Sequence, residues 1–166
     1  MKRLLVLLLL LPSASFAAES TRLFQVVLLR ASMSGPDELT TLPKNAGKAV
    51  ADIRDFLPYK SYRVLDSGLL RAAERTAASL HLDQYDVRVT FKMNGANKLN
   101  VSPFTLERVR KPGTTPLPPG VAPPAPEKPP ISTSFSVDAG ETIVVGSSKL
   151  GGDQALIVLF TALPNR

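Results

Sequence analysis

Three glycines near the end of the chain raise the question of a phosphate-binding loop. Gly146, Gly151 and Gly152 lie in the stretch GETIVVGSSKLGGD. A phosphate loop needs its glycines between a strand and the N-terminus of a helix, where backbone N–H groups converge on the anion. Here the flanking runs, ETIVVG and ALIVLFTAL, predict strands on both sides. We therefore predict that Gly140, Gly146, Gly151 and Gly152 shape a β-hairpin and the turn that precedes it. No cofactor is expected to bind there.

The one histidine of the chain is the next candidate for chemistry. A Ser–His–Asp arrangement would have to use His81 with Asp83 or Asp86, but the sequence contains no GxSxG elbow. The paired-histidine spacing of a zinc site is absent as well, and there is no cysteine. His81 is therefore interpreted as an exposed loop residue.

Pairs of carboxylates are the remaining candidates for catalysis or metal binding. Asp52 and Asp55 are three residues apart in a predicted helix, a spacing typical of a solvated face. Asp37 and Glu38 are adjacent in a Gly-Pro loop, and two ligands alone make no metal site. The sequence predicts a protein that is not an enzyme, with no catalytic residue, no metal and no cofactor.

The N-terminus has the pattern of a cleaved secretory signal. Lys2 and Arg3 precede the apolar run Leu4–Leu11, and the small residues Ser15 and Ala17 occupy the −3 and −1 places of a signal-peptidase site. Eight apolar residues are too few to span a bilayer, which takes roughly 20. We expect residues 1–17 to be removed and the protein to be periplasmic or extracellular.

Charge and cysteine usage exclude several classes of protein. The 166 residues carry a formal charge of +6, which includes Lys2 and Arg3 of the predicted signal. The charges are interspersed, which disfavours a nucleic-acid partner. No later stretch is long enough for an integral membrane helix. Without cysteine, stability must come from apolar burial.

Domain organisation is set by one sharp shift in composition. Residues 111–130 contain nine of the 15 prolines, which predicts a proline-rich loop or linker. The 36 residues that follow are too few to fold alone without disulfides or metal. We therefore expect residues 18–110 and 131–166 to form a single β-rich domain.

The predicted elements define an α+β fold with a mainly antiparallel sheet. Ala46, Val50, Ile53 and Leu57 share one face of a helix at about residues 44–57. Strands are predicted at LFQVVLLRAS, at YKSYRVLDSGLLR with a bend or bulge at Gly68, at YDVRVTFKM, and at LNVSPFTLERV with a break at Pro103. The run ALIVLFTAL is apolar on both faces and predicts a central strand.

A strand with a serine face is the predicted interaction surface. In ISTSFSV, Ser132, Ser134 and Ser136 alternate with larger residues, so the three serines share one face. Strand edges bind other proteins through main-chain hydrogen bonds.

Residues 138–164 resemble the closing segment of bacterial secretins, the outer-membrane gate subunits of secretion and pilus systems. That segment pairs a GxTvvlGG strand with a final elivfltP strand, and the matching positions are Gly140, Thr142–Gly146, Leu156–Leu159, Thr161 and Pro164. Ser147 stands where the second glycine is expected. The resemblance implies a secretin-like pairing of strands, without room for the large pore-forming domain.

Two functions follow from the sequence. The first is an exported protein-interaction or assembly module of the cell envelope, with an envelope protein as partner or with self-association. The alternative is a periplasmic domain that binds a small ligand or carbohydrate. The low aromatic content of 6%, with no tryptophan, disfavours the alternative because sugar platforms use exposed rings.

Overall fold

The computed structural model of the chain describes residues 20–109 and 131–164. The predicted signal peptide (1–17) and the proline-rich segment (111–130) lie outside the described residues. Within the described ranges, no helix has the length and apolar character needed to cross a membrane. The elements are β1 (Thr21–Ser32), a 3-10 turn (Lys44–Ala46), α1 (Gly47–Phe56), β2 (Ser61–Ala73), β3 (Ala78–Leu82), β4 (Tyr85–Met93), β5 (Lys98–Arg108), β6 (Ile131–Asp138), β7 (Thr142–Gly151) and β8 (Gln154–Ala162).

The strands form two four-stranded antiparallel sheets, where the sequence predicted one. The first sheet has the order β2-β1-β8-β7, and the second has the order β3-β4-β5-β6. Residues from both sheets share one apolar core, so the sheets are stacked as a sandwich. Alternation of apolar residues identifies the buried face of a strand, but it does not say which strands share a sheet, and this is why the second sheet was missed.

An aromatic cluster lies at the centre of the inter-sheet core. Phe160 of β8 contacts Phe24 of β1, with ring centroids 5.0 Å apart, and Phe104 of β5 at 5.8 Å. Phe135 of β6 also contacts Phe160, with ring centroids 5.3 Å apart. Residues on both sides of the proline-rich segment therefore fill the same core.

The helix covers the other face of the first sheet, which confirms the predicted α+β class and the single principal helix. Ala46, Val50 and Ile53 are buried against that face, as their spacing predicts. Ile157 and Leu159 of β8 point to the helix, while the alternate residues of β8 belong to the inter-sheet core. The prediction that this strand is central is confirmed, because β8 lies between β1 and β7.

Three local predictions need correction. The segment around His81 is a strand, β3, and not a loop. The bulge of β2 lies at Leu65, where the pairing with β1 shifts, and not at Gly68. The strand β5 continues through Pro103, where the sequence predicted a break, because a bulge between Val101 and Phe104 absorbs the extra residue.

Candidate interaction edge

Each sheet leaves two edge strands, and an unprotected edge is a template for pairing with another chain. The edges are β2 and β7 in the first sheet and β3 and β6 in the second. Proteins block unwanted pairing with bulges, charges, short strands or a covering loop. The four edges differ in which of these they have.

A loop covers the first half of the β2 edge. The Glu38 amide donates to the Tyr62 carbonyl at 2.9 Å, and the Val64 amide donates to the Glu38 carbonyl at 3.2 Å. Glu38 and Arg63 also form an ion pair at 3.0 Å. This half of β2 is therefore occupied by the chain itself.

Electrostatic contacts hold that loop in place. Asp37 accepts a hydrogen bond from the Tyr62 amide at 2.8 Å and forms an ion pair with Arg54 of α1 at 2.5 Å. The hydrogen bond from the Tyr62 amide, with the Arg54 contact, lowers the pKa of the Asp37 carboxyl. The Arg54 guanidinium also lies 5.1 Å from the centre of the Tyr62 ring, and burial raises the pKa of the Tyr62 hydroxyl. The adjacent carboxylates of the Gly-Pro loop thus have cationic partners within the chain.

Two further edges are short or irregular. The strand β3 has five residues, and its Leu80 and Leu82 side chains approach Gly68 of β2. The strand β7 has extra residues at Val145 and Leu150, where its pairing with β8 shifts, so it carries two bulges. A short strand and a bulged strand both make pairing with a strand of another chain less favourable.

The strand β6 lacks these protections. It has eight residues, its one charged side chain is Asp138 at the end, and the bulge opposite Ser134 belongs to β5. Among the described residues, no other strand pairs with β6 on the side away from β5. This regular, uncharged edge is the candidate interaction edge.

The register shows which backbone groups of β6 face the open side. The Ala139 amide donates to the Asn97 carbonyl at 2.8 Å, so Ala139 turns its backbone toward β5. Because backbone direction alternates along an antiparallel strand, Val137, Phe135 and Thr133 also turn toward β5. The N–H and C=O groups of Ser132, Ser134 and Ser136 therefore point to the open edge. The backbone groups of Asp138 also point to the open edge, and the Asp138 amide donates a hydrogen bond to the Glu141 side chain at 2.9 Å.

The two faces beside this edge have different chemistry. The serine side chains are exposed on the outer face, where Ser134 contacts the Ser102 hydroxyl at 2.9 Å and Ser136 donates to Asn100 at 2.7 Å. On the inner side, Phe135 is half-buried against the inter-sheet core. A strand added here would meet hydroxyl groups on one face and an apolar rim on the other.

The four glycines of the closing segment lie in or beside β7. Gly140 is in the turn between β6 and β7, with φ of +90°, and Gly151 and Gly152 are at the β7–β8 turn. Gly146 lies within β7, where a Cβ atom would be 3.5 Å from the Ile131 side chain of β6. These positions flank two strands, and no helix N-terminus follows them within the described residues up to 164.

The candidates for catalysis do not converge on a site. His81 of β3 contacts Asp86 of β4 through Nδ1 and Oδ1 at 2.8 Å, and both side chains are exposed. Within residues 20–109 and 131–164, no serine hydroxyl is hydrogen-bonded to His81, and no group of three metal-ligating side chains is present. Asp52 and Asp55 are exposed on α1.

The sequence predicted the serine face and left open whether its strand is an edge or central. Alternation within ISTSFSV is a local pattern, whereas the open edge depends on which strands pair, on the loop over β2 and on the bulges of β7. Regular alternation with a single terminal charge was the available signal that β6 is unprotected.

The described residues define an α+β protein with two stacked sheets and a helix on one outer face. No protein-family model matches the chain, and no curated protein sequence matches it. Among solved structures, the type II secretion system secretin GspD of E. coli K12 is similar at 13% identity and a TM-score of 0.48, over 87% of this chain and 50% of that one.

Two structures of the Salmonella SPI-1 injectisome secretin InvG are similar as well. Its secretin domain gives 12% identity and a TM-score of 0.36, over 88% of this chain and 61% of that one. The open-gate structure gives 12% identity and a TM-score of 0.34, over 88% of this chain and 59% of that one. The chain thus spans 50% to 61% of the length of these secretins. These similarities confirm the weak, partial resemblance to secretins that was inferred from residues 138–164.

Proposed function

We propose that the protein is an exported, non-enzymatic module of the cell envelope that binds an extended strand of another envelope protein along the open edge of β6. The observation that carries the proposal is the contrast between β6 and the other edges: the first half of β2 is covered by a loop, β3 is short and β7 is bulged. Export rests on the signal pattern of residues 1–17.

The chemistry of the two faces defines the partner strand. Residues placed over the outer face would lie beside Ser132, Ser134 and Ser136, which favours small hydroxyl or amide side chains. The alternate residues would face Phe135 and the apolar rim, which favours branched apolar or aromatic side chains. The expected partner segment therefore alternates apolar and small polar residues.

Carbohydrate binding has less support among the described residues. Phe56 is the one aromatic ring among their exposed large hydrophobic side chains. A sugar platform needs exposed rings that act together, so we do not favour this alternative.

The proposal is tested with Ser134→Pro. Proline removes the N–H group that faces the open edge, while the hydrogen bonds from β6 to β5 come from other residues. We expect a folded variant whose capture of a partner from envelope extracts is weakened about tenfold, the effect of one or two lost hydrogen bonds. Mass spectrometry of the captured proteins gives the measurement.

Two variants serve as controls. Ser134→Ala keeps the N–H group and should capture the same partner as the unmodified protein. Phe135→Pro removes a bond to β5 and should lose the fold. Hydrogen exchange adds a direct readout, because the amides of Ser132, Ser134 and Ser136 should slow when the partner binds. Equal capture by a folded Ser134→Pro protein would rule out the β6 edge.

A further inference from the structure

A polar cavity of about 180 Å³ lies at one end of the first sheet. Phe24, Val26 and Leu28 of β1 face the inter-sheet core, and Arg30 and Ser32 continue the same alternation toward the end of the strand. The face therefore changes from apolar to polar where these two residues line the cavity. This cavity is separate from the edge of β6.

Two arginines face each other across the strands that line the cavity. Arg30 of β1 is directly opposite Arg63 of β2 in the register. Like charges in this position destabilise a sheet, and a guanidinium group does not lose its proton in proteins. Glu38 pairs with Arg63 at 3.0 Å, but among the described residues no carboxylate forms an ion pair with Arg30. One positive charge is left without a counter-ion in this part of the chain.

Hydrogen bonds fix the loop that lines another part of the cavity. The hydroxyl of Ser61 donates to the Pro36 carbonyl at 2.6 Å, and the hydroxyl of Ser32 donates to the Ser34 carbonyl. Gly35 of this loop has φ of +112°, and a Cβ atom there would be 3.6 Å from the Ser61 oxygen. The loop is thus held against the strands, and the arginines and Gln154 remain as donors toward the cavity.

We propose that this cavity binds a carboxylate group between Arg30 and Arg63. A guanidinium offers parallel N–H donors that match the two oxygens of a carboxylate. The arginines and Glu38 together leave one net positive charge, which a carboxylate neutralises, whereas a phosphate dianion would leave one net negative charge. The volume equals that of about six water molecules, enough for a short acid or an acidic side chain. This proposal does not depend on the proposed function.

The test is to titrate carboxylates and phosphate into the full chain. Binding is measured by the change in the NMR signals of the Arg30, Ser61 and Gln154 amides. The probes are sodium acetate, N-acetylglutamate N-methylamide and sodium phosphate, with sodium chloride holding the ionic strength constant. We expect saturable shifts with acetate or with the blocked glutamate. Tighter binding of acetate would assign the site to free small acids, and tighter binding of the blocked glutamate would assign it to a protein side chain.

Substitutions locate the site. Arg30→Gln should weaken carboxylate binding by about tenfold or more, because charge-assisted hydrogen bonds are lost. Arg71→Gln removes the same charge from an exposed position elsewhere on β2 and should leave binding unchanged. If the Arg30→Gln variant does not fold, the Arg63→Gln variant is tested in its place. Saturable binding of phosphate but of neither carboxylate would overturn the proposal, as would equal losses in Arg30→Gln and Arg71→Gln.

Discussion

Asp37 is the side chain that ties the loop after β1 to both α1 and β2. Its two oxygens serve different partners: one accepts the Tyr62 amide and the other contacts Arg54. Because these contacts favour the ionised carboxylate, the pKa of Asp37 in the folded protein is below its usual value of 3.8. The contribution to stability is therefore present above pH 4 and is lost as the pH falls through the lowered pKa.

We expect Asp37→Asn to lower the free energy of unfolding by about 1 kcal/mol at pH 7, since hydrogen bonds to charged groups are strong but this one is partly exposed. The difference from the unmodified protein should shrink as the pH is lowered toward 2. Urea denaturation across this range gives the measurement. Asp52→Asn, on the exposed side of α1, is the control and should change stability little. A difference that stays constant with pH would contradict this assignment.

The sequence does not show which charged side chains pair with each other. Asp37 and Glu38 were interpreted as too few for a metal site, and their pairing with Arg54 and Arg63 depends on a loop that folds back on two distant elements. The same holds for Arg30 and Arg63, which are neighbours only because β1 and β2 are in register.

Gly68 determines how closely β3 approaches β2 at the side of the sandwich. A Cβ atom at this position would be 2.8 Å from Leu82 Cδ2 and 3.0 Å from Leu80 Cδ2. Leu82 is 3% exposed, so it has little room to move. Glycine is needed here for a close contact between the sheets.

We expect Gly68→Ala to destabilise the protein by about 1 to 2 kcal/mol, the usual cost of overpacking a core. Gly47→Ala is the matched control: Gly47 begins α1 with nothing within 4 Å of the added atom, so alanine should be neutral or stabilising by about 0.5 kcal/mol. Midpoints of chemical denaturation compare the two. If Gly68→Ala were as stable as the unmodified protein, the contact would not be tight.

Elements with strong periodicity were predicted from the sequence. The helix face of Val50 and Ile53 and the doubly apolar run of β8 both matched the structure, because burial on one or two sides leaves a direct pattern. The strand β3 was missed because it has only five residues, although Ser79 and His81 alternate with its apolar residues as expected for a half-buried strand. The assignment of strands to two sheets depends on contacts between distant segments, and the periodicity of a single segment gives no information about those contacts.

The two segments on either side of the proline-rich stretch share strand pairs as well as a core. Leu106 of β5 pairs with Ile131 of β6, and Leu28 of β1 pairs with Val158 of β8. We propose on this basis that residues 18–110 and 131–166 fold as one domain.

Cleavage at a protease site placed within residues 111–130 should therefore leave the two fragments associated. Gel filtration without denaturant should show them eluting together, and urea should separate them. The cleaved Phe160→Ala variant should separate at lower urea, since loss of a buried phenylalanine costs about 3 to 5 kcal/mol. Dissociation of the unmodified fragments on cleavage alone would disprove a shared domain.

The position of β8 in the middle of the first sheet governs when the protein can fold. Phe24 in β1 pairs with Ala162 in β8, so the earliest and latest described strands must meet before either core is closed. Pairings between such distant segments form slowly. Under the proposed export, a chain whose β8 has not yet left the transport channel lacks the strand that both cores require. We therefore expect folding of the exported chain to wait until β8 has emerged.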